Sequence, residues 1–318
     1  MQTPTDRKIS LIIPIKDEAE SLAMLCASIN RQTRPPDEII LVDGGSTDET
    51  VRIAGEIAAH EPKLKLIETS QASPGKGRNI GTANARFEWI AYTDAGIVLG
   101  DDWLEKLVAK ADKEGDADII YGNYAPVVES YFEKIATLAY VPAQIWIIRG
   151  KFIASCLMRK RVWTASGGFP DLRAAEDLIF MEAVEKGNFK AAFAPDAMVH
   201  WKLRPNLSST FRKFTLYSKY NVWAGRQRDW HYGVLKQYLV LIPSLFLTVF
   251  HIWWLSVLAI WLFARTVKRI FPHRNEYGWF VLFNPLTFFG TAFLILVIDA
   301  ATFIGWGQAM RRRKASVK

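Results

Sequence analysis

Cysteine is scarce in this sequence, with only Cys26 and Cys156 among 318 residues. Two cysteines are too few for a disulfide framework, and their apolar neighbours are typical of a protein in a reducing compartment. Cysteine and histidine nowhere share the spacing of a zinc site. The sequence also contains no internal repeat or low-complexity tract, which excludes solenoid folds.

Glycine is missing from the positions where two common nucleotide-binding folds need it. A dinucleotide-binding fold requires G-x-G-x-x-G directly after its first strand. Here the first β-rich run, "ISLIIPI" at 9–15, is followed by "KDEAES", which has no glycine. The P-loop pattern G-x-x-x-x-G-K-[ST] is absent as well. These two absences exclude Rossmann dehydrogenases and P-loop nucleotide-binding proteins.

A secretory signal is also missing, because the N-terminus "MQTPTDRKIS" is polar and leads straight into the first strand. We therefore expect residues 1–230 to remain in the cytosol. Long charge-free runs occur only further along, from Tyr238 to Ala264 and from Tyr277 to Ile298. About 20 such residues can cross a bilayer, although a buried core helix is the alternative. The sequence predicts a membrane domain at 231–318 with hydrophobic segments at 238–264 and 277–306.

The net charge of +8 could indicate a nucleic-acid partner. Much of the positive excess, however, flanks the hydrophobic segments, at Arg265, Lys268, Arg269, Arg274 and "RRRK" (311–314). Charges placed there are typical of topology signals and contacts with anionic lipid, so no nucleic acid is expected. We expect two spans and a cytosolic "RRRK" tail. The alternative is a hairpin for each segment, which would return the basic loop 265–276 to the cytosol.

The N-terminal part alternates predicted strands with predicted helices. Strands are indicated at 9–15, 38–42, 63–68, 88–93 and 117–122, with a helix at 101–111. Asp17 with Glu20, and Ser46 with Glu49, have the spacing of helix capping boxes. The alternation predicts an α/β fold with a mostly parallel sheet and helices on both faces.

Two acids, Asp43 and Asp94, each follow a predicted strand at its carboxyl end, where open α/β sheets bind ligands. The stretch "SPGKGRNIG" (73–81) adds three glycines together with Lys76 and Arg78. Glycines with positive charge beside a helix start would suit a phosphate or diphosphate. The alternative is a flexible surface loop with two solvated cations.

Five segments in a fixed order resemble family-2 glycosyltransferases of the GT-A fold. They are "SLIIPIKDEAESL", "DEIILVDGGSTDET", "SPGKGRNIG", "EWIAYTDAG" and "GGFPDLRAAED". The resemblance covers about residues 8 to 225, and it implies a GT-A domain at 1–230. Within this domain, the basic and aromatic stretch 211–230 predicts an interfacial helix region at 205–230. C-terminal membrane helices would follow this domain.

The resemblance implies a nucleotide-sugar donor and assigns residues to it. Asp43 would contact the nucleotide base, Arg78 the base or diphosphate, and Asp94 the ribose and a metal ion. Glu18 matches the acid after the first strand. Pro14 and Lys76 complete the expected nucleotide-sugar site.

The acid pair Glu176 and Asp177 follows the "GGFP" turn at the start of a predicted helix. By the resemblance, Asp177 is the general base of an inverting transfer and Glu176 supports it, facing a basic neighbour or the acceptor. We expect the helix N-terminus to keep Asp177 ionised. The alternative is ordinary helix capping by two acids.

The metal site departs from the family pattern, because the usual D-x-D is here Asp94-Ala95-Gly96. A divalent ion, Mg²⁺ or Mn²⁺, is expected on Asp94, with His200 as a further ligand by the same resemblance. One carboxylate plus a diphosphate is enough in principle. The alternatives are that Lys76 and Arg78 supply the positive charge and that His200 belongs to a core strand.

The expected function is transfer of a single sugar to a lipid or lipid-linked hydroxyl at the cytosolic membrane face, in bacteria that of the inner membrane. Processive synthases of the wider family carry Q-x-x-R-W, whereas this chain has "RQRDW" at 226–230. Two alternatives stay open. One is a polyprenyl-phosphate glycosyltransferase, and the other is a non-catalytic GT-A-like membrane subunit.

Overall fold

The structure is a computed structural model that describes residues 7–144 and 149–311. The chain forms two compact units. Unit 1 comprises Met1–Pro126 and Trp146–Lys202, and unit 2 comprises Val127–Ile145 and Leu203–Lys318. The region 205–230, assigned above to the GT-A domain, therefore falls in unit 2.

The strands of the described residues form one eight-stranded sheet, in the order β3-β2-β1-β4-β7-β6-β8-β5. Their bounds are β1 Ile9–Ile15, β2 Glu38–Asp43, β3 Leu64–Glu68, β4 Trp89–Tyr92, β5 Ile97–Leu99, β6 Ile119–Val127, β7 Cys156–Arg159 and β8 Ala191–Lys202. Neighbours from β3 to β4 pair in parallel. β7 is antiparallel to β4 and β6, and β5 is antiparallel to β8. The predicted α/β class is confirmed, but the sheet is mixed, because it also contains the antiparallel pairs β4–β7, β6–β7 and β5–β8. β5 and β7 were not predicted, and β8 only as the alternative for His200.

Seven helices precede residue 187: α1 Ala19–Asn30, α2 Thr50–His60, α3 Pro74–Asn84, α4 Trp103–Glu114, α5 Tyr131–Tyr140, α6 Lys160–Ala165 and α7 Glu176–Lys186. Six follow among the described residues: α8 Leu207–Trp223, α9 Gln227–Trp230, α10 Tyr232–Leu247, α11 Trp254–Ile270, α12 Arg274–Tyr277 and α13 Pro285–Arg311. In unit 1, α3 packs against β1 and β2, and α4 packs against β8.

The core of unit 1 explains why the short apolar runs become central strands. Every residue of β2 and β4 is buried, and all of β1 but Pro14. Such strands read as continuous apolar runs because both of their faces are covered. Trp103 is fully buried and donates its indole N–H to Ser155 Oγ at 2.9 Å. This core fixes the carboxyl ends of β1, β2 and β4 side by side.

The two predicted capping boxes are not formed. α1 begins at Ala19 and α2 at Thr50, and neither has a side-chain cap. Instead, Asp17 has a positive φ of 53° and accepts the backbone N–H of Thr47 at 2.8 Å. The Ser46 hydroxyl accepts the N–H of Asp17 at 2.9 Å. These polar side chains join the loops after β1 and β2, and loop contacts of this kind compete with capping.

Unit 2 differs from the expected pair of spans. The apolar segment 238–264 is divided between α10 and α11, which pack on each other. Of the described helices, only α13 is long and apolar enough to cross a membrane, and core helices of soluble proteins can share that length and composition. Residues 312–314 of the "RRRK" tail lie outside the described residues.

The predicted interfacial helix is present as α8, but its aromatic residues do not form a free apolar face. Phe214 is buried and lies edge-to-face against Tyr140 of α5, with ring centroids 5.1 Å apart. α8 packs along α13. Its apolar side is therefore used inside unit 2.

Candidate active site

The acid Asp43 lies at the end of β2, as predicted, but its side chain faces the protein. It is buried and accepts the backbone N–H of Gly45 at 2.8 Å, together with the N–H and hydroxyl of Ser46. These bonds hold the loop after β2 in place. Contact with a nucleotide base stays a prediction for this residue.

Arg78 is the centre of the site. Its side chain is only 4% exposed, and each terminal nitrogen donates to a different carboxylate. Nη1 lies 2.8 Å from Glu176 Oε1, and Nη2 lies 2.6 Å from Asp94 Oδ1. The guanidinium also lies over the ring of Phe169, 5.4 Å from its centroid. Arg78 therefore joins the end of β4 to the start of α7.

The glycines of "SPGKGRNIG" do not form a phosphate loop; they lie inside α3. The helix begins at Pro74, and the Ser73 hydroxyl caps it by accepting the N–H of Lys76. A side chain at Gly75 would collide with the carbonyl of Pro170, and one at Gly81 would collide with Ile12. The glycines thus permit close packing of α3 on the "GGFP" turn and on β1, which carries Arg78 into the site.

Asn79 is a residue that the sequence reasoning missed. Its amide group donates to the carbonyl of Phe169 at 2.7 Å and accepts the N–H of Phe169 at 2.8 Å. It also accepts the indole N–H of Trp163 at 2.8 Å. Asn79 therefore clamps the "GGFP" turn to α3, next to Arg78. About ninety residues of chain separate the partners, so no local pattern could reveal the clamp.

Ala175 presents the acid pair from a strained backbone. It has φ 68° and ψ 0°, the left-handed region, and stands immediately before α7. Non-glycine residues in such conformations cost on the order of 1–3 kcal/mol and cluster at functional sites. The turn directs Glu176 inward to Arg78, the kind of basic neighbour expected for it. Asp177 stays half-buried and accepts the backbone N–H of Leu178 at 2.8 Å.

Burial dominates the electrostatics of the pair. It raises the pKa of Asp177 above its ordinary value, although the Arg78 guanidinium opposes this. It also raises the pKa of Glu176 against a direct ion pair with Arg78. The expected effect of the helix N-terminus on Asp177 is therefore outweighed. A carboxylate with a raised pKa is a stronger base, which is what proton abstraction requires.

The remaining predicted donor residues lie on β1, just before α1 and on α3. Pro14 is half-buried on β1, where Gly77 of α3 approaches it. Glu18 precedes α1 and accepts the hydroxyl of Ser21. Lys76 is exposed, and its ammonium lies 3.5 Å from the carbonyl of Gln71.

The predicted metal ligands Asp94 and His200 lie after β4 and on β8. His200 is exposed on β8 and pairs with Val98. Within residues 7–144 and 149–311, no group of three or more His, Cys, Asp or Glu could hold a metal ion. Asp94 is 39% exposed, and its Oδ1 is the oxygen that accepts from Arg78. This suits an ion held by one carboxylate and substrate phosphates, but not an ion held by the protein alone.

Comparison with known proteins agrees with this arrangement. The model of the family "Glycosyl transferase family 2" matches residues 10–170, about half of the chain. The chain therefore belongs to glycosyl transferase family 2. The matched region includes Asp43, Arg78 and Asp94 and ends before the acid pair.

Two relatives illustrate the extent of the similarity. Glycosyltransferase GlyG of Streptococcus pneumoniae is 29% identical over 123 residues, 38% of this chain and 40% of GlyG. The match thus spans well under two-thirds of that relative's length. An uncharacterized glycosyltransferase of Haemophilus influenzae is 23% identical over 232 residues, 72% of this chain and 91% of the relative.

Among solved structures, TarS 1–349 of Staphylococcus aureus in complex with UDP is similar, with a TM-score of 0.52 at 18% identity. The similarity covers 98% of this chain and 94% of that one. At this identity the likeness concerns the fold, and it confirms the predicted GT-A type.

Proposed function

We propose that this protein is a glycosyltransferase that moves a single sugar from a nucleotide-sugar to a hydroxyl of a lipid or lipid-linked acceptor, with inversion. The reaction takes place at the cytosolic face of a membrane, in bacteria the inner membrane. The carrying observation is the cluster of Asp94, Glu176 and Asp177 around buried Arg78. TarS has been solved with UDP and with UDP-GlcNAc, which supports a nucleotide-sugar donor here.

In the proposed reaction, Asp177 is the general base. Its carboxylate takes the proton of the acceptor hydroxyl while the hydroxyl oxygen attacks the anomeric carbon. The bond from that carbon to the nucleoside diphosphate breaks on the opposite side, so the configuration inverts. The raised pKa and partial exposure of Asp177 suit this role, because the base must be both reactive and reachable.

Glu176 and Arg78 keep the base in place. Glu176 is buried in an ion pair with Arg78, so it is held away from the acceptor. Burial raises the pKa of Asp177, and the Arg78 guanidinium limits this increase. A fixed arrangement of this kind reduces the reorganisation needed during reaction.

The donor is assigned to the carboxyl edge of the parallel strands. Asp94 would face the ribose side of the nucleotide, and Lys76 the phosphates. Asp43, Glu18 and Pro14 would border the base. The predicted Mg²⁺ or Mn²⁺ remains part of the proposal, held by Asp94 and donor phosphates with His200 as an additional ligand. When bound, such an ion stabilises negative charge on the departing diphosphate.

A lipid-type acceptor is supported by unit 2. Large apolar side chains are widely exposed there, among them Phe246, Phe250 and Trp253. A water-soluble acceptor would give no reason for such a surface, because extended exposed apolar patches mark interaction sites.

The test supplies purified protein with a panel of nucleotide-sugars and a membrane lipid extract, and identifies the lipid product by mass. Asp177→Asn should lower transfer at least ~100-fold, because general-base catalysis is typically worth 10²–10⁴-fold. Donor binding should stay near wild type. Glu176→Gln is the matched control with a smaller loss, since it keeps a hydrogen bond to Arg78.

Full transfer by Asp177→Asn at saturating acceptor would remove the base from the mechanism. It would favour a polyprenyl-phosphate acceptor, which has no hydroxyl proton to lose. No sugar-containing lipid from any donor would refute the lipid acceptor.

A further inference from the structure

The first hydrophobic segment forms a helical hairpin, which consists of α10, the turn 248–253 and α11. The two helices pack against each other. Around the turn, the side chains of Phe246, Val249, Phe250 and Trp253 are each 70% exposed or more. We name residues 245–254 the hairpin tip. Such exposure of four large apolar side chains in water is unfavourable by about 25 cal/mol per Å².

The hairpin helices are too short to cross a bilayer. α10 has 16 residues and α11 has 17. At 1.5 Å per residue each measures ~25 Å, against a hydrocarbon core of ~30 Å. Lys236 and Gln237 lie near the start of α10, so the apolar part of this helix is shorter still. A tip of this depth would end inside the bilayer.

A second apolar patch continues from the hairpin. Trp279, Phe280, Phe283 and Phe289 are all exposed. The ring of Phe271 at the end of α11 contacts Trp279, and Phe263 contacts Phe288. This patch, at residues 279–289, therefore lies on the same group of helices as the hairpin.

α13 passes the length criterion for a span, but α8 packs against one side of its C-terminal half. Ser218 of α8 donates to the carbonyl of Thr302 at 2.6 Å. Gly305 leaves room for α8, since a side chain there would collide with the carbonyl of Thr215. α8 also carries Arg212, Lys213 and Lys219. A helix with three cations is costly to place in hydrocarbon, so this half of α13 stays outside it.

The limit of the apolar region is marked by an ion pair. Asp299, midway along α13, is buried and paired with Arg265 of α11 through both carboxylate oxygens. Tyr238 of α10 donates to the same carboxylate at 2.9 Å. Lys268, Arg269 and Arg274 follow Arg265 along the chain. Positive charge beside an apolar surface complements anionic lipid headgroups.

From these observations we infer that unit 2 is monotopic: the hairpin tip and the 279–289 patch enter one leaflet of an anionic bilayer, and no helix crosses it. The basic residues after Arg265 then lie at the headgroups of the same leaflet. This removes the conflict between two spans and the positive-inside rule at loop 265–276. The inference rests on the proposed membrane location and not on the transfer reaction.

The topology test uses single cysteines at Asn275, which precedes α13, and at Arg311, the C-terminal residue of α13. The native Cys26 and Cys156 are buried and give little background. An impermeant maleimide should label both sites in inside-out vesicles and neither in intact cells. Labelling of Arg311→Cys from the opposite side to Asn275→Cys would show a span and overturn the inference. A cysteine at Phe250 should react from neither side until detergent is added.

The binding test is flotation of the purified chain with vesicles of phosphatidylcholine, with or without phosphatidylglycerol. Val249→Asp with Phe250→Asp should lower vesicle binding at least ~10-fold, whereas Val128→Asp, an exposed site elsewhere in unit 2, should leave it unchanged. Equal flotation by the tip variant would refute insertion. Loss of a dimer by the tip variant, without a change in flotation, would show that a second copy covers the tip.

Discussion

Replacing Arg78 by methionine tests whether this residue organises the acids of the site. Both side chains of the Arg78–Glu176 pair are under 10% exposed, whereas Asp94 is 39% exposed. Removing one partner of a buried pair typically costs ~3–5 kcal/mol, while a partly exposed pair contributes under ~1 kcal/mol. The buried pair therefore dominates. Arg78→Met should lower the free energy of unfolding by ~3–5 kcal/mol at pH 8.

The destabilisation by Arg78→Met should depend on pH through the carboxyl group of Glu176. Without the guanidinium, the folded-state pKa of Glu176 rises further, because burial is no longer opposed. The ionised carboxyl is then costly above that pKa, and the cost disappears as pH falls through it. The destabilisation by Arg78→Met should therefore be largest at alkaline pH and smaller at acidic pH.

The assay is urea unfolding in detergent at several pH values, followed by circular dichroism. The double variant Arg78→Met with Glu176→Gln should recover most of the loss, since no buried charge is left unpaired. Unchanged stability of Arg78→Met at pH 8, or a failure of Glu176→Gln to rescue it, would refute the reasoning.

The same variant has a catalytic readout that instability alone would not move. Arg78 lowers the pKa of Asp177, so the acid limb of the kcat–pH profile should shift to higher pH in Arg78→Met. In the wild type, the Arg78 guanidinium could also turn from Asp94 to the donor diphosphate. In that case Arg78→Met should weaken nucleotide binding by ~1–3 kcal/mol. Calorimetry with nucleoside diphosphates separates these two roles.

Three further predictions concern the surroundings of the cluster. Gly75→Ala should destabilise the protein by ~1–3 kcal/mol through a collision with Pro170, whereas Gly55→Ala in the open middle of α2 should stabilise it by ~0.5–1 kcal/mol in the same unfolding assay. At the strained position, Ala175→Val should cost ~1–3 kcal/mol and Ala175→Gly less than ~1 kcal/mol; equal values would show that the strain is unimportant. Excess chelator should lower transfer and added Mn²⁺ should restore it, whereas full activity in chelator would exclude the ion proposed on Asp94.

Part of the fold could be predicted because its signals are local. The central strands are short apolar runs that end at an acid or a polar loop, and β1, β2 and β4 were found at their predicted places. β5 has three residues and β7 has four, which is too short for a periodic signal. The capping boxes failed because Asp17 and Ser46 bond across two loops that only the folded sheet brings together.

The site shows the same division. Asp94 and Asp177 follow sequence patterns, but the role of Arg78 depends on contacts with residues 16 and 98 positions away. The glycines of α3 were assigned to a ligand because their protein partners, such as Pro170, are distant in sequence. In unit 2, the break at 248–253 lies in a charge-free segment, so the sequence favoured a single span and left the hairpin as the alternative. Asp299 is a single charge whose partner, Arg265, lies on another helix.

Three carboxylates lie around one guanidinium, which donates to two of them, and this charge balance bears on which acceptors could enter. A phosphate group would add negative charge beside Asp177, and Coulomb repulsion in a partly buried site is weakly screened. A hydroxyl brings no charge and meets no such barrier. If Asp177 is the base, the cluster would therefore also select against charged acceptors, and it would attract a cation. An acceptor analogue with a protonated amine in place of the reactive hydroxyl should bind more tightly than the acceptor itself, and its advantage should fade as salt is raised.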